Sequence, residues 1–310
     1  MPSTAELIVS HVLQQLEIHK NSQDSERPLF VALQGPQGSG KTYLTKRLET
    51  SLTSHPHNLR VAVLSIDDLY LPHDGLVQVA SNNPNNRLLQ GRGQPGTHDV
   101  PLGHSILVQL KNINTGGTTD KVTLPFFDKS LYNGQGDRSE AGSINVEGPL
   151  DLVILEGWCV GFHSLLLHDL EERFHSPIHG VEGVFDIHSV RKEDVLEINN
   201  ALPAYHTNWW SFFDAFIQIK PPDSHPYSHI YKWRLEQEHN MKANNGGRGM
   251  TDEQVKLFID RYIPGYIFFS DGITRGTPAD GGAYTPPKWI GHGLKVLIDE
   301  RREVLSWENF

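Results

Sequence analysis

One stretch of this sequence carries residues whose order suits phosphate chemistry. Gly35-Pro36-Gln37-Gly38-Ser39-Gly40-Lys41-Thr42 sets a glycine, four residues, then Gly-Lys-Thr. Glycines admit left-handed backbone and close approach, so successive N–H groups can face an anion. Lys41 is the cation expected to reach β- and γ-phosphates, and the Thr42 hydroxyl is expected to ligate Mg²⁺. Gly35, Gln37, Gly38, Ser39, Gly40, Lys41 and Thr42 form the expected nucleotide site, with ATP and Mg²⁺ as cofactors. The plainer reading is a Gly-rich turn with no ligand. The setting argues against it, because the apolar run Leu29-Phe30-Val31-Ala32-Leu33 precedes the loop and a helical pattern follows.

Acids at strand ends supply the next candidates. Ser65-Ile66-Asp67-Asp68-Leu69-Tyr70 follows a second apolar run. Ligands of parallel α/β sheets gather at the carboxyl ends of strands. Asp67 or Asp68 is therefore expected near the γ-phosphate, as the base for an attacking hydroxyl or as a partner of Mg²⁺. Leu150-Asp151-Leu152-Val153-Ile154-Leu155-Glu156-Gly157-Trp158 ends another strand in an acid. Glu156 joins Thr42 and Asp67 as a candidate metal ligand. The competing readings are strand-end caps or buried carboxyls.

The acceptor side is read from two polar segments. Gly91-Arg92-Gly93-Gln94-Pro95-Gly96-Thr97-His98-Asp99 combines flexible backbone with Arg, Thr, His and Asp. Arg92 suits a carboxylate and Asp99 suits a hydroxyl. Pro125-Phe126-Phe127-Asp128-Lys129-Ser130 places Asp, Lys and Ser together after a strand. Asp68, Tyr70, Arg92, His98, Asp99, Asp128 and Lys129 make up the candidate substrate set. Against it stand a surface loop and a solvated turn. Arg234, in Trp233-Arg234-Leu235-Glu236-Gln237-Glu238, is a candidate to neutralise charge on a transferred phosphoryl group. Its rival use is an i,i+4 pair with Glu238 on an exposed face. Tyr262, Tyr266, Trp209 and Trp210 read as core packing more readily than as stacking platforms. Arg138 receives no role.

These residues need elements to hold them. Residues 4–20 read as an amphipathic helix and 21–27 as a polar linker. Strand, Gly-rich turn, helix over 41–52 and strand over 60–66 form one βαβ unit, the building block of a parallel sheet. Residues 71–100 lack periodicity, and such long stretches are usually functional or mobile. Helix is expected at 101–110, 227–241 and 251–263, and helical or mixed structure at 190–202 and 209–212. Strands are expected at 121–127, 150–155 and 213–219, with a flexible connector at 244–249. The chain ends in a hairpin formed by 295–299 and 303–307. No repeat or interdomain linker is visible. The expected organisation is residues 1–27 as helix and linker, and 28–310 as a single phosphate-loop domain with substrate-binding insertions.

Composition narrows the function classes. The 310 residues carry 37 acidic against 27 basic groups, a net charge of -10. Such a surface disfavours nucleic acid and anionic membrane. The one cysteine, Cys159, excludes an internal disulfide. Seventeen histidines are scattered without zinc spacing. No run approaches the roughly 20 apolar residues of a membrane span, and residues 1–20 lack the pattern of a secretory or transit peptide. A cytoplasmic location is expected, with the nucleus as an alternative. The oligomeric state is not readable.

Taken in order, the phosphate loop, Ser65 to Tyr70, Gly91 to Asp99, Phe127 to Ser130, Glu156-Gly157-Trp158 and Trp233-Arg234-Leu235 resemble the D-glycerate 3-kinase group. That group includes plant glycerate kinases and fungal glycerate-kinase-like ATP-dependent kinases. It sits within the wider set of phosphoribulokinase, uridine kinase and pantothenate kinase. The resemblance runs from about Pro28 to the terminal hairpin. It implies an α/β P-loop fold with a mainly parallel sheet flanked by helices, and transfer of the ATP γ-phosphate to a small hydroxylated molecule, D-glycerate first. It also implies that Asp67 is the general base. Two alternatives stay open. One is a kinase of pantothenate or a nucleoside, although residues 91–99 contain no aromatic to stack on a base. The other is an ATP-hydrolysing switch or binding protein.

Overall fold

The structure is a computed structural model that describes residues 2–115, 121–244 and 246–310. Asn245, in the expected connector, lies outside the described residues. Helix α1 (Thr4–Lys20) leads to strand β1 (Leu29–Gln34), α2 (Lys41–Thr53) and β2 (Val61–Ser65). Next come α3 (His73–Asn82), α4 (Val100–Asn112), β3 (Lys121–Asp128), the short α5 (Leu131–Gly134), β4 (Asp137–Glu147) and β5 (Leu152–Gly157). Helices α6 (Leu167–His175) and α7 (Lys192–Asn208) precede β6 (Ala215–Lys220). Four helices follow: α8 (Ser228–Asn244), α9 (Asp252–Asp260), α10 (Ile263–Phe269) and α11 (Gly272–Arg275). A two-residue pair, β7 (Thr277–Pro278) and β8 (Tyr284–Thr285), and the hairpin of β9 (Gly293–Ile298) and β10 (Val304–Asn309) complete the chain.

The main sheet has the order β10-β9-β6-β1-β5-β2. β9, β6, β1, β5 and β2 run parallel, and only β10 is antiparallel, at the edge. All six residues of β1 are buried. A strand covered on both faces needs apolar side chains on both, hence an unbroken apolar run rather than alternation. Leu29, Val31 and Leu33 face one layer with Ile8, Val12 and Leu16 of α1 and Leu44, Leu48 and Leu52 of α2. Phe30 and Ala32 face the opposite layer with α4, α7 and α10. Each such apolar side chain contributes about 1.5–3 kcal/mol by leaving water.

Helix α1 belongs to the same core layer as α2, and a capping box of Ser3 and Glu6 starts it. The segment after it is tied down by Arg27, whose guanidinium meets the Asp214 carboxylate at 2.7 Å. Asp214 also accepts the Phe30 N–H at 3.0 Å.

Several elements lie outside the sequence expectation, among them α6, α10, the β7–β8 pair, α3 and β4. Residues 71–100 contain a helix, α3, whose single buried residue is Leu76. One inward residue leaves no visible period. β4 is a long, largely polar strand paired with β3 as a separate two-stranded sheet, with Lys121 opposite Glu147 and Asp128 opposite Asp137. Among the described residues, no helix is long and apolar enough to cross a membrane.

Candidate active site

Register sets the site. Glu156 of β5 lies beside Leu33 of β1 on one side and Ser65 of β2 on the other. Three parallel strands therefore end together, and the phosphate loop, Glu156 and Asp67 emerge at their carboxyl ends. The loop itself closes through the Ser39 hydroxyl and the Lys41 ammonium, which donate to the Pro36 carbonyl at 2.8 and 3.0 Å. Gly38 and Gly40 have φ of +74° and +90°, a left-handed backbone that glycine adopts without strain. A side chain at Gly38 would also collide, since its Cβ would lie 2.5 Å from the Trp233 backbone carbon. Burial pulls the Lys41 ammonium below its usual range, with Glu156 and Asp67 opposing.

The acids take separate environments. Ser65 donates its hydroxyl to Glu156 at 2.7 Å, and burial raises the Glu156 carboxyl. Asp67 lines an open cleft of about 1770 Å³ together with Lys41, Thr42 and Glu156. Its Oδ2 accepts from Lys129 Nζ at 2.5 Å and its Oδ1 from the Tyr70 hydroxyl at 3.0 Å. Burial works to raise its carboxyl, but Lys129, Lys41 and Tyr70 outweigh it and hold the group at about 2. Asp68 turns the other way and accepts the Phe127 N–H at 3.0 Å.

The structure gathers only part of the expected substrate set. Arg92 and Lys129 line the cleft with Asp67, and the buried Tyr70 reaches Asp67 through its hydroxyl. Four others stand apart from the cleft. Asp68 is held by β3. His98 is buried, bonds to the Tyr205 hydroxyl at 2.8 Å and stacks on Tyr70, and burial pushes its imidazole down to about 3. Asp99 caps α4 by accepting the Leu102 N–H, and it pairs with Arg138 at 3.0 Å. Asp128 accepts from Ser130 in its own turn. Asp99 and Asp128 are satisfied by N–H groups of their own turns, and Asp68 and His98 by partners 59 and 107 residues away in the chain. Arg138, to which the sequence assigns nothing, thus fixes the base of the 91–99 loop.

Arg234 lines the cleft and also meets the Glu238 carboxylate at 2.7 Å. The pair is not on an exposed face, since Glu238 is 1% exposed. Trp209 and Trp210 are core residues whose indole N–H groups donate to Val100 and Phe162 carbonyls. Tyr266 donates to Gln37 in the phosphate loop. Tyr262 packs on Gly93, where a Cβ would lie 2.7 Å from the tyrosine oxygen. An aromatic therefore does adjoin the 91–99 loop, supplied from 169 residues further along the chain.

A D-glycerate 3-kinase from Cryptococcus neoformans var. grubii shares this architecture, with a TM-score of 0.87, 40% identity and full coverage of both chains. An uncharacterized kinase of Schizosaccharomyces pombe, mug58, is 35% identical over 303 residues, which span 97% of this chain and 98% of that one. The chain belongs to the D-glycerate 3-kinase-like family of ATP-dependent kinases. The chloroplastic D-glycerate 3-kinase of Arabidopsis thaliana is 34% identical over 281 residues, covering 90% of this chain and 54% of that longer protein. No protein-family model matches the chain.

Two arginines of this kinase escape sequence reasoning. Arg302, in the turn between β9 and β10, donates from Nε to the Gly38 carbonyl at 2.8 Å and pairs with Glu236 of α8 at 2.7 Å. Arg261, just after α9, donates to the Arg92 carbonyl at 2.9 Å and lines the cleft. Neither sits in a motif. A spare arginine between two helices carries no local signal of its target.

Proposed function

We propose that this kinase transfers the γ-phosphate of ATP to the terminal hydroxyl of D-glycerate, giving 3-phosphoglycerate and ADP. The observation that carries the reading is the contact of Asp67 with Lys129 beside the phosphate loop. It joins a carboxylate able to take a hydroxyl proton to a cation able to hold a carboxylate. Two similar proteins bear the name D-glycerate 3-kinase.

In this reading the backbone of residues 35–42 and Lys41 hold the triphosphate. Lys129 and Arg92 draw the acceptor carboxylate, and Asp67 receives the proton of the terminal hydroxyl. That oxygen bonds to the γ-phosphorus while the bond to the β,γ-bridging oxygen breaks and ADP leaves. Thr42, Asp67 and Glu156 would hold Mg²⁺. The donors are hard oxygens, as this ion requires. Among the described residues there is no cluster of three or more acidic, His or Cys ligands, which suits a cation carried largely by the nucleotide phosphates. Bound there, the ion supplies charge neutralisation on the phosphates. Arg234 adds positive charge on the donor side, reduced by Glu238. A cytoplasmic setting fits the single buried thiol of Cys159.

The test is a panel assay with purified protein, ATP and Mg²⁺. D-glycerate, pantothenate, uridine and ribulose 5-phosphate are compared by ADP release and by detection of the phosphate ester. ADP release dependent on D-glycerate is expected. Turnover of another acceptor alone, or acceptor-independent hydrolysis, sinks the reading. Uridine matters in the panel because Tyr262 adjoins the 91–99 loop.

A further inference from the structure

Several cations line the cleft, and three of them are paired with acids. Arg234 meets Glu238, Arg302 meets Glu236, and Lys129 meets Asp67. Arg261 differs. Among the described residues no Asp or Glu forms an ion pair with it, and its Nε is buried without a hydrogen-bond partner. A donor left unmatched in this way beside a cleft is one that a ligand can complete.

Its position says which ligand. Arg261 is welded to the acceptor side rather than to the phosphate loop. Its NH2 group donates to the Arg92 carbonyl at 2.9 Å, and its own carbonyl accepts from Gln94. A Cβ built on Gly91 would lie 3.5 Å from its NH1. The guanidinium lies over the Phe258 ring at 5.8 Å. Arg92, Lys129 and Arg261 line the cleft together with Asp67 and Tyr262. Of these cations Lys129 is paired with Asp67, whereas among the described residues Arg92 and Arg261 form no ion pair with an acid. A planar guanidinium with free donors matches a carboxylate better than a neutral hydroxyl.

We propose that Arg261 binds the carboxylate of the acceptor and sets the preference of this kinase for hydroxy acids over neutral polyols. The proposal rests on the glycerate reading above. It makes Arg261 a specificity residue and Asp67 the group that meets the hydroxyl at the other end of the acceptor.

The experiment compares wild type, Arg261→Gln and Arg261→Lys with D-glycerate and with glycerol, its uncharged analogue, followed as substrate or as competitor. For Arg261→Gln, KM for D-glycerate rises about 10–100-fold, the range of a lost charge-assisted hydrogen bond. KM for ATP and the response to glycerol stay within about twofold. Arg261→Lys, which keeps the charge, recovers part of the loss and serves alone if the Gln variant fails to fold by thermal melting. Equal losses for glycerate and glycerol, or a raised KM for ATP with glycerate unaffected, overturn the assignment. A wild type that does not phosphorylate D-glycerate counts against the glycerate reading instead. A wild type that does, beside variants with unchanged KM for glycerate, removes Arg261 alone.

Discussion

At the residue scale, adjacent aspartates in one motif have separate destinies. Both follow β2, but the 3-10 turn of Ile66–Leu69 sends Asp67 into the cleft and Asp68 toward β3. Asp67→Asn keeps the shape and removes the basic oxygen. It is expected to lower kcat about 10²–10⁴-fold, the usual worth of a positioned general base, while ATP affinity by titration stays within about twofold. Asp68→Asn is expected to leave kcat nearly intact and to lower stability by about 1–2 kcal/mol, because Phe127 N–H loses a charged acceptor. A full-rate Asp67→Asn enzyme would show that the base lies elsewhere. The motif made the pair legible as a unit. Which member faces the ligand depends on one N–H of β3, which sequence spacing does not report.

At the element scale, the phosphate loop is held from outside by two later elements. The Trp233 backbone of α8 leaves no room for a side chain at Gly38. The turn between β9 and β10 presents Arg302 with φ of +67°, and its guanidinium spans Gly38 and Glu236. This link positions the Gly38 peptide, whose carbonyl must point away for its neighbours' N–H groups to face an anion. Arg302→Ala is expected to raise KM for ATP about tenfold, the effect of about 1.4 kcal/mol, and to leave KM for the acceptor unchanged. Initial rates with each substrate varied in turn check it. A rise confined to the acceptor would refute the clamp. The buried strands β1, β5 and β6 were legible because continuous apolar runs have few other uses. α3 and β4 were not, since a helix with one inward residue and a polar two-stranded ribbon lack a contrast between faces.

At the scale of the whole molecule, buried histidines couple stability to pH. His98 and His163 are each pushed down to about 3, chiefly by burial. His163 has no hydrogen-bond partner on either ring nitrogen among the described residues. Unfolded histidine titrates near 6.5. Below that pH the unfolded chain binds protons that the fold refuses, so stability falls as pH drops from about 6.5 toward 3. At pH 5 each group costs about 2 kcal/mol relative to neutral pH. His163→Leu is expected to recover about that amount of the loss between pH 7 and pH 5, measured by urea unfolding at both. An identical loss in wild type and variant would show that His163 is protonated without penalty.

The local sequence determined what contiguous residues can determine. A Gly-rich run ending in Lys41-Thr42 folds into a phosphate loop because its own backbone freedom and the strand before it suffice. Apolar runs chose the buried strands, and the acids Asp67 and Glu156 followed from ending such strands. Tertiary structure decided everything that depends on distant segments meeting. It bound Asp67 to Lys129 across 62 residues and Arg302 to Gly38 across 264. It set Arg234 against Glu238 in a buried pair, consumed Asp99 and His98 in structural bonds, and left Arg261 on the acceptor side of the cleft. The physical reason is that a polar side chain takes its role from the partner that reaches it first, and that partner is chosen by packing rather than by neighbours in the chain.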